Sequence, residues 1–392
     1  MSAPERNPNL HVYIIAGEPS GDVIGARLIT ALAERTTGQF RVSGVGGPEM
    51  TAAGLESLFP FAQLAIMGLT EVLPSVPKIL RRIRQVTRDI ERANPDVIVT
   101  IDSPGFVFGV IRRLKSRNCP RVHYVAPTIW AWRAGRVKKF RKNFDHLLAL
   151  LPFEPPLFET EGLDCTFVGH PIAEGAVAAG DGVAFRARHG IGADEKLLCV
   201  LPGSRRGEVG RLGPIIKEAI ERLSVNHPNL RIVIPAAPNV RAEIECTRNW
   251  RYPVLIVDGA TERYDAFAAA NVALAASGTV TLELAYAGVP SVVIYKVGHL
   301  TGEIVRRMIK VKFVSIVNLV GEKEIFPEFI QSRCRPKPIS QAVSALLESA
   351  ERAQMVGKKA QLVARQIAGE GDMPSIRAAA VIQSIVDDAR TS

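Results

Sequence analysis

Short apolar runs recur along the chain, separated by longer stretches with helical spacing. Candidate strands in the first half are His11–Ala16, Arg41–Val45, Val97–Ile101, Val122–Val125, His146–Leu151 and Thr166–Val168. A second series comprises Leu197–Leu201, Arg231–Pro235, Val254–Val257, Val272–Ala275 and Ser291–Tyr295. These runs are continuously apolar rather than alternating, the pattern of parallel strands covered on both faces. Helical windows lie between them: Gly21–Glu34, Val76–Asn94, Gly210–Leu223, Glu262–Ala270 and Thr279–Ala287. Alternating β and α elements predict an α/β chain with doubly wound parallel sheets. An amphipathic stretch follows at Gln341–Arg365, then an interruption at Gly369–Pro374 and a last helix at Ser375–Ala389.

The series breaks at Gly169–Gly182, a Gly- and Ala-rich segment (GHPIAEGAVAAGDG) suited to a hinge. Two Rossmann-like halves are therefore expected, residues 1–171 and 172–370, with ligands at the carboxyl ends of the strands. A length of 392 residues fits two domains.

Composition narrows the class. At 47% hydrophobic and 22% charged, the chain is neither disordered nor fibrous. Lys and Arg number 49 against 39 Asp and Glu, a net charge of +10 that points to an anionic partner. The five cysteines form no CxxC or Cys/His cluster, which argues for a reducing compartment and against zinc. His123 and His170 have no second ligand at metal spacing and are expected to be structural. Met1–Leu10 is polar, so no secretory signal is expected, and no apolar stretch reaches the ~18 residues of a membrane span.

Four stretches carry chemistry. After the first strand comes AGEPSGDVIGA, in which Gly17, Gly21 and Gly25 are spaced by four. That is not the dinucleotide fingerprint, but glycines there let the backbone approach a ligand, and Glu18, Ser20 and Asp22 add polar groups. The competing expectation is a turn capped by Ser20 or Asp22. Asp102 ends the strand VIVTI, where a carboxylate serves as general base, binds a sugar hydroxyl, or caps the helix opened by Pro104. LPGSRRGEVG places Ser204 and Arg205 in a strand–turn–helix that favours an anion, with Arg206 a weaker partner. In AASGTVTLELA, Ser277, Gly278 and Thr279 open a helix that offers a second anion site. Glu283, one turn in, is either a ribose acceptor or a solvated carboxylate.

Two basic stretches hold the charge excess. RAGRVKKFRK, residues 133–142, includes Arg136, Lys138 and Lys139 and follows Trp130 and Trp132. Lys78, Arg81, Arg82, Arg84 and Arg88 follow the apolar run Ile66–Leu73, with Met67 and Leu69 inside it. Apolar wedges beside cations suit an anionic membrane surface; RNA binding or solvated helix faces are the competing roles.

The strings AGEPSGDVIGA, GVGGPEM, IMGLTEVLP, IDSPGF, HYVAPTIWAW, LPFEPPLF, FVGHP, LPGSRRGEV, ASGTVTLELA and NL…PEFIQ occur in this order. Together they resemble the lipid-A-disaccharide synthase family of bacterial glycosyltransferases, over residues 12 to 331. The resemblance implies a GT-B architecture of two Rossmann-like domains facing an interdomain cleft. The first would be an acceptor and membrane-facing domain, with the helix at 371–392 packing back on it, and the second would bind the UDP-sugar. It implies inverting transfer of 2,3-diacylglucosamine from its UDP derivative to 2,3-diacylglucosamine 1-phosphate, with no cofactor and no metal. It further implies a peripheral protein on the cytoplasmic face of the bacterial inner membrane, with no nucleic-acid partner. A homodimer is the one oligomer considered.

By the same resemblance the family's important Asp falls on Asp102; inversion needs a general base near the acceptor hydroxyl, for which Asp102 is the first choice and Glu18 and Asp22 are reserves. The UDP-binding positions fall on Ser204, Arg205, Ser277, Gly278, Thr279, Glu283 and Asn318. Gly105 and Val317 depart from the family pattern, which commonly has an acidic residue and Pro there. The rival functions are a sugar-nucleotide epimerase of the same fold and another membrane-associated UDP-sugar glycosyltransferase.

Overall fold

The computed structural model describes residues 10–36, 39–65, 72–115, 117–127, 137–246, 252–298 and 312–391. The chain divides into two compact units, Met1–Pro171 with Gly369–Ser392, and Ile172–Ala368.

The first unit holds six parallel strands: β1 (Leu10–Ala16), β2 (Phe40–Val45), β3 (Val97–Ile101), β4 (Arg121–Tyr124), β5 (His146–Ala149) and β6 (Asp164–Phe167). Their order is β2-β1-β3-β4-β5-β6, so the winding reverses between β1 and β3. The two faces of β1 follow its alternation. Val12, Ile14 and Ala16 pack with Leu28, Ile29 and Leu32 of the helix Pro19–Arg35. The same cluster takes Ala378, Ala379, Ile382 and Val386 from the helix Pro374–Thr391. Tyr13 and Ile15 face Ile83, Val86 and Ile90 of the helix Val72–Ala93 and Val107 and Val110 of the helix Pro104–Ile111.

The second unit repeats the plan with β7 (Leu197–Leu201), β8 (Arg231–Pro235), β9 (Val254–Val257), β10 (Val272–Ala276), β11 (Ser291–Tyr295) and β12 (Glu328–Ile330). The parallel order β12-β11-β10-β7-β8-β9 reverses between β7 and β10. Leu198 and Val200 pack with the helices Arg206–Leu223 and Pro336–Glu348. Cys199 and Leu201 pack with Phe185, Phe267 and Leu284 on the other face.

The eleven strands expected from the apolar runs all form, five with the expected bounds and the rest with edges displaced by one or two residues. β12 was not expected, because its three residues are too short for a pattern. The stretch Gln341–Arg365 is two helices, not one: Pro336–Glu348 and Ala350–Ala368 are separated by Ser349 in extended backbone. Among the described residues, no helix is long and apolar enough to cross a membrane.

Candidate active site

In the second unit, the carboxyl ends of β7, β8, β9 and β10 enclose a cavity of about 540 Å³. It lies at the strand-order reversal, where the loops on either side diverge and open a crevice. Ser204, Arg205, Ser277, Gly278, Thr279 and Glu283 all line it.

The turn after β7 is shaped around a carboxylate. Gly203 has φ +114°, and a Cβ there would stand 2.6 Å from Glu208 Oε2, so glycine is required. Glu208 Oε2 accepts from the Ser204 N–H at 3.3 Å, and Oε1 accepts from Arg205 Nη1 at 3.1 Å. Arg205 keeps 82% of its side-chain surface exposed, so its remaining donors are open to a ligand. Arg206 pairs with Glu243 at 2.8 Å and, unlike Arg205, does not line the cavity.

The turn after β10 leads into the helix Thr279–Tyr286, with Gly278 as its extended N-cap. The positive end of that helix faces the same cavity as Arg205, so an anion there meets a guanidinium and a helix N-terminus together. Ser277 Oγ donates to the Val314 carbonyl at 3.2 Å, which ties the turn to the loop before β12.

Glu283 is not a solvated helix-face carboxylate. Its side chain is 14% exposed, and burial raises its pKa, opposed by the nearby Arg263. Arg263 Nη2 donates to Glu283 Oε1 at 3.0 Å and to the Tyr264 hydroxyl at 2.8 Å, with the guanidinium 4.8 Å from the Tyr264 ring centroid. Arg263, on the helix Ala260–Ala269, also lines the cavity. Nothing along the chain marks it, since it sits in the first turn of a helix, twenty residues before Glu283, in no turn motif.

Asn318 does not line the cavity. It is fully buried, and its amide is spent within the protein. Nδ2 donates to the Phe326 carbonyl and to Glu328 Oε1, each at 2.8 Å, while Oδ1 accepts from the N–H groups of Ile325 (2.8 Å) and Phe326 (2.9 Å). The expected ligand contact is therefore corrected to a structural one, which closes the loop 314–328 behind Ser277.

In the first unit, Gly17 at the end of β1 and Asp102 at the end of β3 meet at the other strand-order reversal. A Cβ on Gly17 would stand 2.4 Å from Ser103 Oγ, so only glycine permits this approach. Asp102 (φ +49°), Ser103 (φ +48°) and Val125 (φ +76°), at the ends of β3 and β4, are all left-handed. Such residues cost about 1–3 kcal/mol each and gather where a site over-determines the backbone. Asp102 Oδ1 accepts from the Ser103 N–H at 2.7 Å, and neither side chain caps the helix Pro104–Ile111. Asp102 is half-buried.

Asp22 is corrected. It is 2% exposed and accepts from the N–H groups of Gly47 (2.7 Å), Glu49 (3.0 Å) and Met50 (3.1 Å), capping the helix Pro48–Ala52 from outside. A carboxylate with both oxygens committed to backbone donors is not a general base. Glu18 is the exposed N-cap of the helix Pro19–Arg35, and Gly21 is buried against Ile101.

His123 is buried and His170 half-buried, and desolvation pushes their pKa values down to about 3 and about 4. Both rings are thus neutral near pH 7; the His123 Nδ1 pairs with Thr100 Oγ1 at 2.7 Å. Among the described residues, no three His, Cys, Asp or Glu groups converge as for a metal.

Of the basic stretches, Lys138 and Lys139 are exposed on the short helix Val137–Arg141, whose Val137 and Phe140 are buried. Arg81, Arg84 and Arg88 are exposed along the helix Val72–Ala93. Arg82 is committed instead, 4.7 Å over the Phe59 ring and donating from Nε to Gln63 at 2.8 Å. Met67, Leu69, Arg136, Trp130 and Trp132 lie outside the described residues.

Two parallel six-stranded sheets, one with a cavity at its strand-order reversal, define a GT-B-type fold. The fold is similar to that of CalG4, the calicheamicin glycosyltransferase (TM-score 0.59, 16% identity, 97% of this chain and 98% of that one). It is equally similar to a UDP-GlcNAc 2-epimerase from Neisseria meningitidis (TM-score 0.61, 15% identity, 90% and 98%), so fold alone does not separate transfer from epimerisation. Sequence does: residues 12–385 match the model of the lipid-A-disaccharide synthetase family, and the chain belongs to that family of glycosyltransferases. It is 48% identical over 376 residues to the lipid-A-disaccharide synthase of Rhodospirillum centenum, covering 95% of this chain and 93% of that one. Over 382 residues it is 48% identical to the same enzyme of Paramagnetospirillum magneticum, covering 95% and 97%.

Proposed function

We propose that the chain moves 2,3-diacylglucosamine from its UDP derivative onto the 6-hydroxyl of 2,3-diacylglucosamine 1-phosphate with inversion. The products are the β-1,6-linked disaccharide 1-phosphate and UDP. The observation that carries this reading is the cavity at the β7/β10 reversal, where Arg205, the Ser277–Thr279 helix start and Glu283 converge. A diphosphate takes the first two and a ribose takes the third.

In the reaction, the acceptor oxygen bonds the anomeric carbon as the bond from that carbon to the diphosphate breaks. UDP leaves with the electron pair, and Arg205 and the helix N-terminus offset its charge without calling on a metal. The hydroxyl proton goes to a general base, for which Asp102 is the choice. Its strained position at a strand end supports that role. In this reading the first unit takes the acceptor and the second the UDP-sugar.

Both substrates carry acyl chains, so the enzyme works at a bilayer surface, the cytoplasmic face of the inner membrane. Exposed Lys138, Lys139, Arg81 and Arg84 support an electrostatic contribution, at about 1 kcal/mol per well-placed cation. Incubation with the UDP-diacylglucosamine donor and its 1-phosphate acceptor, with mass detection of products, tests the reading. The disaccharide is expected; an isomerised UDP-sugar, or transfer only to some other lipid acceptor, would overturn it.

A further inference from the structure

The nucleotide cavity contains an ion pair that is complete on one side only. Arg263 and Glu283 share one hydrogen bond, yet the Arg263 Nε and the Glu283 Oε2 are buried with no partner among the described residues. A buried polar atom without a partner is costly, so two in contacting residues on a cavity wall point to a ligand that completes them. Other carboxylates do not compete for this arginine: Glu262 is taken by Arg188 and His189, and Asp265 by Arg188 and the Asp181 N–H.

Resting on the assignment of this cavity to UDP, we propose that Arg263 is a positioning residue of the donor site. Its guanidinium anchors Glu283 Oε1 and leaves Oε2 for a ribose hydroxyl, while its own Nε–H awaits an acceptor oxygen of the nucleoside. The planar fork suits the task. One nitrogen serves Glu283 and Tyr264, and the plane lies near the Tyr264 ring, a geometry that a lysine ammonium cannot reproduce.

The pair is also electrostatic. Burial favours the neutral form of Glu283 and the Arg263 charge opposes that. The remaining charged groups around the helix Thr279–Tyr286 are few. Arg205 and Glu208 line the same cavity and pair with each other. The neighbouring helix Ala350–Ala368 brings Gln361 and Lys358 to the opposite end, near Gly288. The helix Ile316–Val320 has no titratable side chain. Without Arg263, burial is unopposed and the Glu283 pKa climbs further, so the carboxyl stays protonated to a higher pH.

UDP affinity of the full chain is measured by calorimetry at about pH 6 and about pH 8.5, for wild type, Arg263→Met, Arg263→Lys, Glu283→Gln, the Arg263→Met/Glu283→Gln double variant and Arg205→Ala. Arg263→Met is expected to lose about tenfold or more at the lower pH and to recover part of that loss at the higher one. Comparison with wild type at the same pH cancels titration of the diphosphate. The double variant is expected to lose less than the sum of the two single losses, because Arg263 acts in part through Glu283. Wild type is expected to prefer UDP to 2′-deoxy-UDP, and Arg263→Met to lose that preference. Arg263→Lys, which keeps the charge and loses the fork, is expected to fall between wild type and Met with a deficit that is the same at both pH values. It serves as the test if the Met variant does not fold. Equal deficits for Arg263→Met at both pH values, additive losses in the double variant, or wild-type affinity in both Arg263 variants would overturn the proposal. If wild type binds no UDP, or Arg205→Ala leaves its affinity unchanged, the nucleotide assignment itself fails instead.

Discussion

Replacing Asn318 by Ala separates a ligand contact from a structural one. The side chain makes four buried hydrogen bonds. Truncation strands the N–H groups of Ile325 and Phe326 and the carbonyl of Phe326, while Glu328 Oε1 still accepts from the Ser315 N–H at 2.9 Å. Two stranded donors at about 1–2 kcal/mol each, with about 1 kcal/mol for the carbonyl, give a loss of about 3–5 kcal/mol. That is a large share of the roughly 5–15 kcal/mol that holds a native protein together. With a urea slope of about 2–3 kcal/mol per molar, the unfolding midpoint falls by about 1–2.5 M. Amide exchange at Ile325 and Phe326 should quicken in step. Asn318→Asp gives an independent check. It keeps both acceptor bonds but sets a second carboxyl beside Glu328, so protonation of the pair is favoured in the folded state. This variant should therefore lose stability as pH rises and the pair is forced to ionise. The reasoning is refuted if Asn318→Ala unfolds within about 0.3 M of wild type while UDP affinity drops tenfold.

Asp102→Asn is expected to cut turnover by about 10²- to 10⁴-fold with UDP affinity unchanged in calorimetry; a variant keeping more than about a tenth of the rate removes Asp102 as the base. Asp22→Ala is expected to lose about 2–4 kcal/mol of stability, since it strands three N–H groups, while the folded fraction keeps wild-type turnover. A normal melting curve with lost turnover would instead return Asp22 to the catalytic list. Binding to anionic vesicles should weaken as salt rises, given screening over roughly 8–10 Å, and neutral vesicles should bind poorly. Met67 and Leu69 changed to Ser, or Arg136, Lys138 and Lys139 changed to Glu, should each reduce that binding, and wild-type binding in both would place the membrane face elsewhere.

Much of the framework was legible because parallel strands buried on both faces are written as unbroken apolar runs. β12 escaped because Glu328–Ile330 is too brief to show a period, and Glu328 is polar for a reason invisible locally: it accepts from Val314, Ser315 and Asn318. The two phosphate-type turns were legible because a glycine, a hydroxyl and a helix start lie adjacent in sequence. Asp22 misled for the same reason. It has the right address, after the first strand, but its partners lie twenty-five or more residues on, at Gly47 to Met50. Arg263 and Glu283 come from different helices, so nothing along the chain marks them as a pair.

The first unit's core is completed by a segment made long after the rest of it. Ala378, Ala379, Ile382 and Val386 share a cluster with Leu28 and Leu32, Arg377 Nε donates to the Val168 carbonyl at 2.8 Å, and Arg390 pairs with Asp96 at 2.7 Å. About 200 residues separate Pro171 from Gly369, so at roughly 5–20 residues per second synthesis leaves that face uncovered for about 10–40 s. During that interval the nascent first half presents a greasy groove on the helix Pro19–Arg35, a place for chaperones to hold or for stray chains to stick. The second unit, continuous from Ile172 to Ala368, has no such wait, so the order of maturation runs opposite to the order of translation.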